Sequence, residues 1–394
     1  MLTCYACGAR TASGQRCDCG EPLWFDTDPA GFEWPARDGV WAFADLLSVD
    51  RPGDGLAATA GATPLVRTPG LDADGARVHV KLEGTNPTGS FKDRGSAVGV
   101  AAALADGVET VGTVSHGNMA ASMAAHAASA DLDCVVLVPA DISEARLERI
   151  ATYGPRLVRV DGDYGRLYHD ALDLGPQAGI EFVNSDSPLR VAGQKTTTLE
   201  LLRAFAAGEA GADAPAAPDA VVMPVSSGGH ASAAWKAVRE ATAAGLLDDP
   251  PRLYFVQAAA CAPVARAFDR GDDSVTRLEP AETGETVAYS IANADPPSGT
   301  RALRAARDTD GAILAVDDDA ILDAQCDLAG AGLRVEAASA TPLAALRRLR
   351  ETGEIDRGEH VALVATGVGY GGGGASVDAE TVTRESLPAV LGVD

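Results

Sequence analysis

From about Thr63 onward the chain alternates short apolar runs with Ala/Leu-rich stretches of helical length. The runs are Val78–Leu82, Thr110–Val114, Cys134–Val138, Leu157–Val160, Ala220–Val225, Leu253–Val256 and Val361–Ala365. Runs of strand length separated by helical stretches are the pattern of a mostly parallel sheet covered on both faces, so the expected class is α/β. The Ala/Pro stretch from Ala206 to Pro218 reads as a helix end and surface connector.

The first 62 residues have a different character. Cys4, Cys7, Cys17 and Cys19 sit in CYACG and CDCG, each pair followed by a glycine, Gly8 or Gly20. Two tight thiolate-bearing turns, each relieved by a glycine, are a usual way to build a tetrahedral zinc site. The Cys-x-Cys spacing of the second pair is tighter than Cys-x2-Cys, and the alternative is four reduced, unligated thiols in a turn-rich cap. The expected division is a zinc-ribbon-like segment over 1–24, an extension and linker over 25–62, and one α/β region over 63–394. The linker holds Phe25, Trp34 and Trp41 and a Gly/Pro/Asp-rich passage near Arg51–Gly55.

With 394 residues and 46% hydrophobic content, the chain can build two lobes around buried sheets. Charge narrows its partners: 56 acidic against 32 basic residues leave −24, which repels nucleic acid and anionic membranes. The four lysines, Lys81, Lys92, Lys195 and Lys236, and the Asp/Glu/Ala/Gly-rich remainder resemble proteins of salt-accumulating halophiles. At ~1 M salt the Debye length is ~3 Å, which screens such self-repulsion. No apolar run approaches the ~18 residues that span a bilayer. The start, Thr3-Cys4-Tyr5, is not a basic-then-apolar leader, so a cytoplasmic location is expected. Seven cysteines, four of them in the first twenty residues, suit metal binding better than a disulfide framework.

Four loops could carry chemistry. In KLEGTNPTGSFKDRG, Lys81–Gly95, a polar loop leads through Ser90-Phe91 into Lys92 and then into helix. A lysine at a strand-to-helix junction can enter a cleft, where desolvation makes it a usable amine. Asp93 and Arg94 are read as capping and charging the helix start. SHGNMAAS, Ser115–Ser122, follows a strand and opens a helix, offering N–H donors and the Asn118 amide to an anion; ordinary helix capping is the alternative. VVMPVSSGGHASAAWK, Val221–Lys236, puts Ser226, Ser227, Gly228, Gly229 and His230 between a strand and a helix, where small residues let backbone approach a phosphate. It has neither GxxxxGK[ST] nor GxGxxG, so a nucleoside triphosphate or a dinucleotide is not its natural guest. NSDSPLRVAGQKT sets Arg190 a short loop from Asn184 and Ser185, a plausible anion site. Thr366, after the last strand, stands where open parallel sheets bind ligands. The six histidines show no metal-ligand spacing, and His116 and His230, in these loops, are read as supporting rather than catalytic.

These pieces, in this order, resemble the tryptophan-synthase-β-like group of pyridoxal-phosphate (PLP) enzymes, and most closely the threonine synthases. The similarity runs from Thr63-Pro64-Leu65 through Gly369 and includes the cysteine-rich start. NPTGSFKDRG is its most specific part, and EAASATPLAALRRL from Glu336 is similar to the family's EPASAA-type segment, with Ala337 in place of proline. The resemblance implies a two-lobed fold type II enzyme with the smaller lobe at about 95–190, in which Lys92 carries PLP as a Schiff base. By the same resemblance Asn118 contacts the cofactor's phenolic oxygen, Ser226 to His230 cradle its phosphate, and Thr366 faces its pyridine nitrogen. Ser115, Asn184, Ser185, Arg190 and Lys195 fall to the substrate, with Ser185 and Arg190 at its phosphate. The chain departs from the family at Met119, where a threonine is expected, at SSGGH, where a GNxGN-type loop is expected, and at TGVGYGG, where TGHGLKD is expected. These positions bear on the substrate more than on the cofactor.

The implied activity is conversion of O-phosphohomoserine and water to threonine and phosphate. A threonine or serine dehydratase, or a synthase acting on another phosphorylated amino acid, is the alternative. An inactive paralogue serving as a binding protein is the non-enzymatic one, against which Lys92 argues. The expected partner is a small amino-acid substrate, and a homodimer is left open.

Overall fold

The computed structural model describes residues 1–72, 75–115, 117–140, 142–161 and 164–369. His116 and the stretch from Tyr370 on, with the second half of TGVGYGG, lie outside the described residues. In chain order the strands are β1 (Leu2–Cys4), β2 (Arg10–Thr11), β3 (Leu23–Phe25), β4 (Leu65–Arg67), β5 (Arg77–Leu82), β6 (Thr110–Val114), β7 (Asp133–Pro139), β8 (Arg156–Val160), β9 (Ile180–Phe182), β10 (Ala220–Pro224), β11 (Arg252–Ala258), β12 (Ile313–Val316) and β13 (His360–Ala365). The helices are α1 (Lys92–Asp106), α2 (Asn118–Ser129), α3 (Glu144–Ala151), α4 (Tyr164–Ala178), α5 (Pro188–Ala206), α6 (Gly229–Ala243), α7 (Pro263–Arg270), α8 (Gly299–Asp308), α9 (Asp318–Gly330) and α10 (Ala337–Thr352).

They form an antiparallel ribbon β2-β1-β3, a six-stranded sheet β12-β11-β10-β13-β5-β4 and a four-stranded sheet β8-β7-β6-β9. The last two are parallel throughout, apart from the edge pair β4–β5. The large sheet is buried on both faces. Val221, Met223, Leu253, Phe255, Ala362 and Val364 enter one core, while their neighbours Val222, Tyr254, Val256, Val361 and Leu363 enter the other. Unbroken apolar strands follow from this, because neither face of the pleat meets water. The expected mostly parallel α/β fold is thus observed, with seven strands close to their expected positions. β4, β9 and β12 were not read from the sequence: β4 and β9 have three residues each and β12 has four, too few to stand out from their surroundings.

Between the two sheets runs α5, buried along nearly its whole length and packed on both α1 and α6. Its contact with α1 depends on Gly193, where a Cβ would lie 2.1 Å from the Arg94 carbonyl oxygen. Backbones this close leave no room for a side chain.

β13, last in sequence among the described strands, is inserted between β5 and β10, its register set by Val361↔Val78 and Val361↔Ala220. The segments that follow the carboxyl ends of β5, β10, β13, β6 and β9 are those carrying Lys92, Ser226–His230, Thr366, Ser115–Asn118 and Asn184–Ser185. Parallel topology therefore delivers all five to one side of their sheets, where such folds bind ligands. Among the described residues no helix is long and apolar enough to cross a membrane.

Candidate active site

A cavity of about 370 Å³ lies at this junction, with Lys92 in its wall. Three buried contacts fix the loop before Lys92. The Asp93 carboxylate accepts from the Thr88 N–H and hydroxyl, each at 2.6 Å, and from the Ser122 hydroxyl at 2.6 Å. Phe91 N donates to the Thr366 carbonyl at 3.0 Å, and Val368 N to that of Gly89 at 3.1 Å, stitching the lysine loop to the chain after β13. The Lys92 ammonium stands 4.3 Å from the centre of the Phe91 ring. Burial pulls its pKa down to about 7; the positive charge of Arg190 adds to this and the Glu336 carboxylate opposes it. At neutral pH the side chain is thus divided between amine and ammonium, as a nucleophile and proton carrier needs.

Arg94 does more than charge a helix end. Its guanidinium is fully buried and bonds both Glu83 and Glu200, at 2.7 and 2.8 Å to the first and 2.7 Å twice to the second. Lys81 reaches the same Glu200 at 2.7 Å. Two cations and two carboxylates neutralise one another in the interior and tie β5, α1 and α5 together. Glu200 is held well below the usual carboxylate range: burial alone would raise it, but the charges of Arg94 and Lys81 outweigh that.

Opposite Lys92 lies the loop after β10. Gly228 has φ 85°, and a Cβ on it would fall 2.3 Å from the Ser298 carbonyl; one on Gly229 would fall 2.0 Å from that of Ser185. Glycine is therefore obligatory at both, and the N-terminus of α6 opens toward the cavity with Ser226, Ser227, Gly228 and His230 in the lining. His230 is buried and stacks on Phe91, ring centres 4.0 Å apart and planes 12° from parallel. Neither of its ring nitrogens has a hydrogen-bond partner among the described residues. Burial pulls its pKa well below the ordinary value, with Lys92, Arg94 and Arg190 adding to the effect, so it is neutral.

Thr366 exchanges a 2.9 Å hydrogen bond with the Ser339 hydroxyl, which the Gly367 N–H also holds at 2.9 Å. The Asn118 amide donates to both oxygens of Glu336 at 3.1 Å, and its carbonyl accepts from Arg149 at 3.1 Å. Glu336, just before α10, is half-buried, and its desolvation raises its pKa; Asn118, Lys92 and Arg149 work against that. Glu336 and Gln194 are cavity residues to which the sequence reading gave no role, although both stood inside segments it singled out. Arg277 and the irregular stretch Tyr289–Asp295 also line the cavity. They follow no strand of either large sheet, so no periodic signal marks them.

The substrate-binding residues expected from the sequence divide. Ser115 and Ser185 line the cavity. Asn184 does not; it is buried, and its carbonyl oxygen accepts from Val114 N at 2.9 Å, joining the ends of β6 and β9. Arg190 lies behind the wall, fully buried, and none of its three guanidinium nitrogens has a partner among the described residues. Burial lowers its pKa, with Asp93 as the opposing charge. Lys195 is not brought to the cavity. Its ammonium bonds the Leu46 carbonyl at 2.6 Å and Glu240 at 2.6 and 2.9 Å, and so holds the linker onto α6.

In the ribbon, the sulfurs of Cys4, Cys7, Cys17 and Cys19 all lie within 4.8 Å of one another, with Cys4–Cys19 and Cys7–Cys17 at 3.6 Å. Metal–sulfur bonds of about 2.3 Å in a tetrahedron require sulfurs roughly 3.8 Å apart, so the four thiols could hold a metal ion. Gly8 and Gly20, at φ 73° and 89°, turn the chain back after each pair.

Known proteins match this arrangement. The family model described as pyridoxal-phosphate dependent enzyme matches residues 56–367. The threonine synthase of Methanocaldococcus jannaschii is 36% identical over 340 residues, 84% of this chain and 80% of that protein. That of Mycobacterium leprae is 36% identical over 344 residues, 85% and 88% of the two chains. Among solved structures, the threonine deaminase of T.th. superposes with a TM-score of 0.63 at 28% identity, covering 79% of this chain and 94% of its own.

Proposed function

The chain belongs to the pyridoxal-phosphate-dependent enzymes and, within them, to the threonine synthases, and from this we propose that it converts O-phosphohomoserine and water to threonine and phosphate with Lys92 as its central residue. The observation that carries this is the desolvated amine of Lys92, facing a glycine cradle at a helix N-terminus.

The residues present fit the cofactor. Ser226, Ser227 and Gly228, with the dipole of α6, would hold its phosphate. The neutral hydroxyl of Thr366 would meet its ring nitrogen, and Asn118 its phenolic oxygen. His230, aromatic, uncharged and with open ring nitrogens, would support the cradle. When bound, PLP supplies an electron sink conjugated to the substrate amine. Lys92 Nζ would take protons from Cα and Cβ of the substrate and return them at Cα and at Cγ, which becomes the methyl group, while the γ-phosphate leaves and water adds at Cβ. The Ser185 hydroxyl would donate to the departing phosphate and Arg190 would offset its charge; that none of the three guanidinium nitrogens of Arg190 has a partner among the described residues supports this role. Lys195 has no part in it, since Glu240 occupies its ammonium.

The test is a pair of assays at high salt: phosphate release from O-phosphohomoserine and 2-oxobutyrate formation from threonine. Release of phosphate is expected to dominate. Apolar Met119 in the wall and the likeness to a threonine deaminase favour the dehydratase as the second reading, and 2-oxobutyrate alone would select it.

For the four thiols we infer one structural zinc ion, with no open position for catalysis. Metal analysis of chelator-free protein is expected to give about one zinc per chain; metal-free protein of full stability would refute this. The charge of −24 suits a salt-rich cytoplasm, and thermal stability is expected to rise with KCl as self-repulsion is screened.

A further inference from the structure

Two consecutive ribbon residues reach out of the cysteine hairpin and grip the segment that carries Asn184 and Ser185. Gln15 Nε2 donates to the Phe182 carbonyl at 2.9 Å. Arg16 Nη1 donates to the Asp186 carboxylate at 2.6 Å. The two grips bracket Val183-Asn184-Ser185 at either end. From these contacts we infer that Arg16 is a positioning residue, through which the cysteine-bearing ribbon sets the geometry of the substrate-phosphate site.

The guanidinium of Arg16 is not a loose surface charge. Its Nε and Nη2 both bond the Gly20 carbonyl, at 3.0 and 2.6 Å, in the turn that follows Cys19. The hairpin therefore aims the third nitrogen at Asp186, and a rigid fork loses little freedom in making that bond. Asp186 is fully buried. One carboxylate oxygen takes Arg16 and the other takes the Tyr168 hydroxyl of α4. With both oxygens committed, the carboxylate has one position, and Ser185 is its neighbour in the chain.

Ser185 has little slack of its own. Its carbonyl is wedged where a Cβ on Gly229 would lie, 2.0 Å away, against the cradle at the start of α6. Its side chain lines the cavity. A shift of Asp186 by a few tenths of an ångström would thus move the Ser185 hydroxyl relative to Lys92, while Gly228, the cradle glycine in the cavity lining, is fixed separately against Ser298. The ribbon, remote from the chemistry, then acts on the substrate's phosphate rather than on the cofactor.

The inference rests on the reading of Ser185 and Arg190 as the phosphate grip, and its test has one arm that does not need that reading. Steady-state kinetics with O-phosphohomoserine on the full chain are expected to show KM raised roughly 10-fold in Arg16→Ala, the loss of one charge-assisted bond, with kcat and cofactor content close to those of the parent. Arg16→Lys recovers part of this, since an ammonium that reaches Asp186 cannot also hold Gly20. In cofactor-free protein, hydrogen exchange is expected to accelerate at the amides of Val183 and Ser187, bonded to the Gly112 and Asn184 carbonyls at 2.9 and 3.1 Å, and not across the six-stranded sheet. Should Arg16→Ala fail to fold, Asp186→Asn breaks the same ion pair at constant shape and is expected to give the same KM shift. Unchanged KM with unchanged exchange overturns the inference; so does a parallel loss of kcat, cofactor and protection throughout the chain, which marks a general prop. If the parent enzyme releases no phosphate, the substrate reading fails, and the exchange arm alone decides whether the ribbon holds the segment.

Discussion

Arg94 on α1 and Arg190 on α5 sit on helices packed against each other, and both are fully buried. Arg94 meets two carboxylates with every nitrogen used. Arg190 meets none among the described residues, and the carboxylate that opposes the effect of its burial, Asp93, is spent on Thr88 and Ser122. A buried cation without a partner costs stability, and folds retain one only where something else compensates. The first arginine is part of the frame that presents Lys92. The second is the one we propose to meet the substrate's phosphate.

The strongest way to break this contrast is to remove each arginine in turn. Arg94→Met leaves Glu83 and Glu200 with only Lys81 between them, and is expected to cost about 3–5 kcal/mol in chemical denaturation. Arg190→Met is expected to leave unfolding unchanged or to stabilise slightly. Equal destabilisation by both would mean that Arg190 has a structural partner after all.

A smaller effect is expected in catalysis. Arg190→Ala should lose roughly 10- to 150-fold in kcat/KM for the phosphorylated substrate, the equivalent of about 1.5–3 kcal/mol, with the visible absorbance of lysine-bound cofactor intact. Arg190→Lys should restore only part of it. Turnover near the parent level in Arg190→Ala would point instead to the dehydratase reading.

The smallest effect concerns pH. Capture of PLP by the apoprotein requires the neutral amine of Lys92, so its rate should rise as pH passes upward through about 7 and fall about tenfold per unit below. The sign follows from the depressed pKa: burial and the charge of Arg190 make the ammonium form less favourable in the folded protein. Arg190→Met should therefore move the midpoint up, and Glu336→Gln, which removes the opposing carboxylate, should move it down. Stopped-flow absorbance against pH measures both shifts, and borohydride reduction followed by peptide mapping should find the pyridoxyl group on Lys92.

How much of this could be read from the chain depended on whether a residue's role is set by local sequence. Lys92, Thr366 and the Ser226–His230 loop were legible because each lies in the segment that follows a strand's carboxyl end, and parallel topology then fixes the side of the sheet on which it emerges. The four cysteines were legible because two short spacings suffice to form a cluster. Lys195 was not: on a helix buried along its length, nothing local distinguishes a cavity from Glu240, which lies 45 residues away in the chain. Arg94 was underestimated for the same reason, since its second carboxylate is 106 residues distant. Glu336, Gln194 and the Tyr289–Asp295 stretch became site residues only when the two sheets came together.

The placement of β13 has a consequence for synthesis. During translation β5 and β10 are complete long before His360–Ala365 emerges, yet each must wait with one edge unpaired for that last strand to slide between them. Open edges flanked by apolar faces are templates for wrong pairing between nascent chains. The acidic excess of the chain, −24 over its full length, opposes such encounters, because like-charged chains repel one another. A chain stopped before His360 would lack the strand that brings Thr366 to Phe91 and so the contact that ties the lysine loop to the far side of the sheet.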